Sequence, residues 1–195
     1  MKWTYDRGKR TMPRIPLFAA FLWALGTSGA FADQESEGIP EYVVKAGFIY
    51  NFTKYVDWPA DAYEKPDSPV IIGTVGTNPF GEELEKALRN KTVKGRGFVI
   101  RHFSGPNDIQ QCHLLFIPRS EKERLALILM KLESWPVLTV GEDENVAKSG
   151  GCVTILIEKE KPRLEVNPGA AEKARLALSS KLLKIATIVR VGRER

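Results

Sequence analysis

Histidine and cysteine are both scarce: the 195-residue chain has two of each, His102 and His113, Cys112 and Cys152. That leaves neither a third histidine nor a C-x-x-C pair from which to build the common zinc-binding patterns. Adjacent residues of a strand point to opposite faces, so Cys112 and His113 cannot both join His102 at one metal. Neither G-x-G-x-x-G nor G-x-x-x-x-G-K-[ST] occurs, and no G-x-S-x-G elbow is present. Gly73-Thr74-Val75-Gly76 is the nearest approach to a phosphate loop and reads as an ordinary turn after a strand. Paired carboxylates such as Glu82-Glu83 and Asp143-Glu144 stand at helix starts and in loops, where acidic residues are common anyway. No catalytic constellation, metal site or cofactor is expected.

Excess charge is missing too, once its location is considered. The formal net charge is +5, but Lys2, Arg7, Lys9, Arg10 and Arg14 against Asp6 account for +4 of it. No charged residue follows until Asp33, and the remainder holds 24 Lys and Arg against 23 Asp and Glu. A body so balanced carries no overall electrostatic footprint for nucleic acid.

What the amino terminus does contain is an export address. A basic opening precedes the apolar run from Ile15 to Leu25, and small residues lead to Ala30-Phe31-Ala32. These are the three regions of a secretory signal peptide, with cleavage expected after Ala32 and no twin arginine to divert it from the Sec route. Residues 1–32 read as the signal and 33–195 as one mature domain exported to an oxidising compartment. In that compartment a disulfide between Cys112 and Cys152 and a pair of buried thiols are both open readings. A bridge would close a loop of about 40 residues, worth about 3–4 kcal/mol by chain entropy.

The mature chain opens on its most unusual feature. Of its 12 aromatic residues, seven lie between Tyr42 and Tyr63. Pro40 and Trp58-Pro59 bracket a helix that is apolar almost all round, which must be covered on more than one side. One face is expected in the core, with Phe48 as its representative. Tyr50 lies about 200° around the helix from Phe48, and its hydroxyl suits a partly wet surface. Tyr50, Lys54, Tyr55 and Trp58 are the candidate partner-binding residues.

Further on, helices alternate with short strands. Strands are expected over 70–75, 97–103, 113–117, 136–140, 152–158 and 163–166, the last two forming a hairpin. Asn78-Pro79 and a Ser120–Glu123 capping box should start two helices, and Asn167-Pro168 a final one running to Val189. The pattern implies a single α/β layered domain, its sheet mixed but mostly parallel, flanked by helices, with a hairpin toward the C-terminal side.

Tyr42-Val43-Val44-Lys45-Ala46-Gly47-Phe48-Ile49-Tyr50-Asn51-Phe52-Thr53-Lys54-Tyr55-Val56-Asp57-Trp58-Pro59 resembles the opening signature of the YfiR family (DUF4154). The likeness continues through Asn78-Pro79-Phe80-Gly81, Cys112 to Ile117, Val137 to Gly141, Gly150-Gly151 and Ser179 to Ala186. The resemblance implies a periplasmic, non-enzymatic α/β protein that forms homodimers. It further implies a partner: the periplasmic sensor domain of an inner-membrane diguanylate cyclase, held inactive until the repressor is released. Release by envelope stress, disulfide state or an outer-membrane lipoprotein raises cyclic di-GMP and biofilm formation. The regulatory members of the family carry more cysteines than two, so a switch built on two bridges does not carry over. A histidine kinase or another membrane receptor is an alternative partner. From the residues alone, a small-molecule module using the sheet-end crevice is a second reading, and an unrecognised hydrolase a third.

Overall fold

The computed structural model describes residues 40–190, so the expected signal peptide and its cleavage point lie outside the described residues. Helix α1 (Glu41–Tyr55) follows Pro40, and its buried residues are Lys45, Ala46, Ile49, Phe52 and Thr53. The three- and four-residue spacing of these positions forms one stripe. Phe48 is off it and only partly buried, so the core representative of α1 is Phe52, against which Phe48 tilts at 6.0 Å. The chain turns extended at Val56 into β1 (Val56–Asp57), three residues before Pro59.

The main sheet then assembles. β2 (Val70–Val75) enters it, α2 (Glu83–Leu88) crosses over, and β3 (Phe98–Phe103) lies parallel to β2. β4 (Leu114–Ile117) returns to the other side of β2. α3 (Leu125–Leu132), β5 (Leu138–Gly141), α4 (Asn145–Lys148) and β6 (Val153–Glu158) follow. β6 turns back through Lys159 and Glu160, both at positive φ, into β7 (Lys161–Val166), the antiparallel hairpin expected from the sequence. The order is β3-β2-β4-β5-β6-β7, with a two-residue strand at Thr187–Ile188 (β9) beyond β7, and every pair except β6–β7 is parallel. All four residues of β4 and of β5 are buried, as a sheet covered on both faces requires.

Two cores result, one on each face. Leu114 and Phe116 join Ile49, Phe52, Ile72, Phe80 and Leu84 beneath α1 and α2. Leu115 and Ile117 join Val75, Phe103, Leu125, Ile128 and Leu132 beneath α3.

The helix expected from Asn167 to Val189 is broken. Asn167 does cap α5 (Pro168–Lys173), accepting from the Ala170 N–H at 3.0 Å. Arg175 then takes φ 59, Leu176 N–H bonds to the Ala171 carbonyl and Arg175 N–H to that of Glu172, all of which ends the helix as a Schellman motif. The rest is β8 (Ala177–Leu178), α6 (Ser180–Ile185) and β9 (Thr187–Ile188), with β8 paired to β1. Ser120 and Glu123 form no capping box: residues 119–124 are a 3-10 turn and α3 starts after it without a side-chain cap. Asn78 accepts from the Phe80 N–H at 3.1 Å, but α2 begins only at Glu83.

Candidate partner-binding site

Tyr50 and Lys54 are one turn apart on α1 and therefore share a side. The Tyr50 ring stands edge-on to Phe98 of β3 at 5.9 Å, and two ammonium groups flank it, Lys54 at 3.9 Å and Lys91 at 4.4 Å. Lys54 is exposed, Tyr50 and Phe98 partly so. Cation–aromatic contacts at such sites are worth about 0.5–1 kcal/mol each. The cluster is thus held weakly and leaves both charges available to a partner. Lys91 and Phe98 were not visible as site residues, since only the α1–α2–β3 packing brings them to Tyr50.

Tyr55 and Trp58 are committed elsewhere. Tyr55 packs on the first core, and its carbonyl accepts from the Ser179 N–H at 2.8 Å. Trp58 donates its indole N–H to the His113 carbonyl at 2.8 Å and meets the His113 ring edge-on at 6.0 Å. Tyr63 lies 4.5 Å from the same ring, and the Arg96 guanidinium covers Tyr63 at 3.8 Å. The His113 Nδ1 accepts from the Ile71 N–H at 2.9 Å, which places its proton on Nε2. Burial, with the Arg96 charge added, pushes its pKa down to about 4. This box is a neutral plug at the amino end of β2 and β4, so only two of the four expected residues gather.

The opposite end of the sheet is where a small ligand would be sought, because β3 and β4 depart to either side of β2 there. The chain's own side chains fill it. Glu142, directly after β5, accepts from Lys45, from the Arg119 N–H at 2.8 Å and from the Tyr42 hydroxyl at 3.3 Å. Burial and then the Glu142 charge push the Tyr42 hydroxyl up to about 12. Gly76, at φ +74, lies against the Glu121 carboxylate, and Glu121 also pairs with Arg124. Gly73 is equally a packing position: a Cβ there would sit 2.7 Å from the Phe103 ring.

Thr74, His102 and Glu85 stand in a row, with His102 Nδ1 2.5 Å from the Thr74 hydroxyl and Nε2 3.6 Å from Glu85. The order imitates a hydrolase triad, but Thr74 is 1% exposed, beyond reach of a substrate. The row ties β2, β3 and α2 together. Among the described residues no three metal-ligating side chains converge.

Cys112 and Cys152 are both free and buried, in different cores. β5 separates the strands they precede, and two strand spacings are about 10 Å, beyond the roughly 7 Å limit for a disulfide. The bridge left open by the sequence is not formed in this structure.

The fold is a three-layer α/β body with an exposed aromatic and cationic cluster where the end of α1 meets β3. The family model for YfiR/HmsC-like proteins (DUF4154) matches residues 42–187, and the chain belongs to that family. Membership fits, at the level of the family, a periplasmic regulatory role in cyclic di-GMP signalling rather than an enzymatic one. Among the described residues no helix is long and apolar enough to cross a membrane. None of the curated proteins compared matches the chain. Among solved structures it is similar to a conserved domain protein of Vibrio cholerae O1 biovar El Tor, at 13% identity and a TM-score of 0.54. The match covers 77% of this chain and 60% of that one, and it shows the fold alone.

Proposed function

We propose that the protein is a periplasmic repressor that binds the periplasmic sensor domain of an inner-membrane diguanylate cyclase and lowers cyclic di-GMP output. The family match over residues 42–187 carries this reading. The Tyr50–Lys54–Lys91 cluster supports it as a contact surface, and the filled sheet end speaks against a small-molecule module. Repression requires tighter binding to the inactive receptor than to the active one. Taking a receptor that is half active down to about 1% needs roughly 100-fold preference, or about 2.7 kcal/mol.

The test is capture from detergent-solubilised membranes with residues 33–195 as bait, followed by cyclic di-GMP measurement in cells lacking the protein. A captured cyclase and a rise in cyclic di-GMP are expected. Capture of a histidine kinase with unchanged cyclic di-GMP would overturn the partner.

A further inference from the structure

β3 is the outermost strand of the seven-stranded sheet and pairs with β2 alone. The Gly97 and Phe103 carbonyls accept from Val70 and Gly76, at 2.9 and 2.8 Å. Backbone groups of successive strand residues face alternate sides, so the odd-numbered residues of β3 bond to β2. Phe98, Ile100 and His102 therefore turn both N–H and C=O outward, where no backbone partner meets them among the described residues. An unpaired edge of this kind is a template for another strand.

The side chains of the same three residues form one wall of a groove of about 620 Å³. Glu85, Arg89 and Lys91, from α2 and the turn after it, form the other wall. A groove between an edge strand and a helix is how β-strand addition gains specificity: the main chain gives affinity, and alternate side chains fill the pocket.

Charge selects the occupant. Residues 89–102 contain Arg89, Lys91, Lys94, Arg96 and Arg101 and no carboxylate, in a mature chain that is otherwise balanced. Lys94 pairs with Asp57, and Arg96 is held by the Ser68 carbonyl and the Tyr63 ring. Arg89, Lys91 and Arg101 have no ion-pair partner among the described residues. Glu85, the one acidic group in the groove, faces His102 at 3.6 Å.

The geometry points to the β3 edge as the docking site for an extended, acidic segment of a partner protein. The segment adds as an eighth strand on Phe98, Ile100 and His102 and sets its carboxylates against Arg89 and Lys91. A second copy of the chain fits poorly, because edge-to-edge pairing would bring the same cations together, and like charges directly opposite one another destabilise a strand pair. The inference rests on the reading of the chain as a partner-binding protein and names the surface and the partner chemistry.

The probe is a fluorescent ten-residue peptide of alternating valine and glutamate, read by anisotropy. Its controls are the valine–lysine counterpart, the same acidic peptide with alternate amides N-methylated, a single-stranded oligonucleotide and phosphatidylglycerol vesicles. The acidic peptide should bind at least 10-fold tighter than every control and slow hydrogen exchange at Phe98, Ile100 and His102. Ile100→Pro removes an outward donor while sparing the β2 ladder, a position an edge strand tolerates, and should weaken binding at least 10-fold. The double variant Arg89→Glu, Lys91→Glu should prefer the lysine peptide. It also keeps the test decisive should Ile100→Pro not fold. Equal binding of the N-methylated peptide, tighter binding of the oligonucleotide or vesicles, or a dimer already protecting β3 would each overturn the inference. Membrane capture separates it from the proposed function: a cyclase captured equally by the charge-reversed variant overturns the edge alone. Intact peptide binding with no cyclase captured overturns the cyclase reading alone.

Discussion

Lys45 and Lys54 stand nine residues apart on one helix and serve opposite ends. Lys45 is 1% exposed, bonded to Glu142 and to Glu41, and its charge is spent inside the fold. Lys54 is exposed and rests on an aromatic ring, with only a long 3.4 Å contact to Asn51 besides. The same side chain is an internal strut at one position and a free charge at the other. The difference lies in the layer above: β5 delivers a carboxylate to the start of α1, whereas the end of α1 looks out over the edge of the sheet.

The contrast breaks most visibly at Glu142. Glu142→Ala leaves the buried Lys45 ammonium with only the half-exposed Glu41 and takes the acceptor from the Arg119 N–H, and a loss of about 3–5 kcal/mol is expected in urea unfolding. The double variant Lys45→Met, Glu142→Leu should lose less than Glu142→Ala alone, because no buried charge is orphaned. Equal losses would mean that packing, not charge, governs that end. Next is the aromatic pair on the same helix. Phe52→Ala should cost about 3–5 kcal/mol, and Phe48→Ala less than about 2, since Phe48 keeps part of its ring in water.

His113 gives a pH-dependent effect of comparable size. Its folded pKa of about 4 is below the unfolded 6.5. Its contribution is therefore complete above pH 6.5 and falls away as the pH drops toward 4, where the loss levels at about 3 kcal/mol. Urea midpoints between pH 7.5 and 4 should show this slope, and His113→Gln should flatten it. The smallest effects belong to the exposed cluster. Lys54→Ala should leave stability within about 0.5 kcal/mol and Tyr50→Ala within about 1, while capture of the membrane receptor weakens. A stability loss at Lys54 as large as at Glu142 would erase the distinction.

Much of this was readable in advance, for reasons that differ by element. The strands announce themselves because runs such as Val70-Ile71-Ile72 and Leu114-Leu115-Phe116-Ile117 are apolar on both faces, as a covered parallel sheet demands. The break in the C-terminal helix is silent in the sequence because Arg175 occupies the left-handed cap position where glycine is the usual signal. Lys45 carries no signal of burial in the sequence, although it lies on the same stripe as Ile49 and Phe52. Glu142, arriving from 97 residues away, joins the local Glu41 in making a buried lysine tolerable there. At the candidate site, Tyr50 and Lys54 are local neighbours and were legible. Lys91 and Phe98 reach them through tertiary packing, and the same packing draws Tyr55 and Trp58 inward.

The two-residue ribbon of β1 and β8 sets an order of events. Val56 pairs with Leu178 and the Tyr55 carbonyl with the Ser179 N–H, so the end of α1 is tied down by residues roughly 120 positions later. Closing a loop of that length is slow and uphill until the intervening sheet has drawn its ends together. A chain emerging amino end first would pack α1 on β2 to β4 early, yet hold the far end of α1 unclasped until nearly all of the family segment had followed. The first helix of the family segment to be made would then be the last to be fastened at its far end.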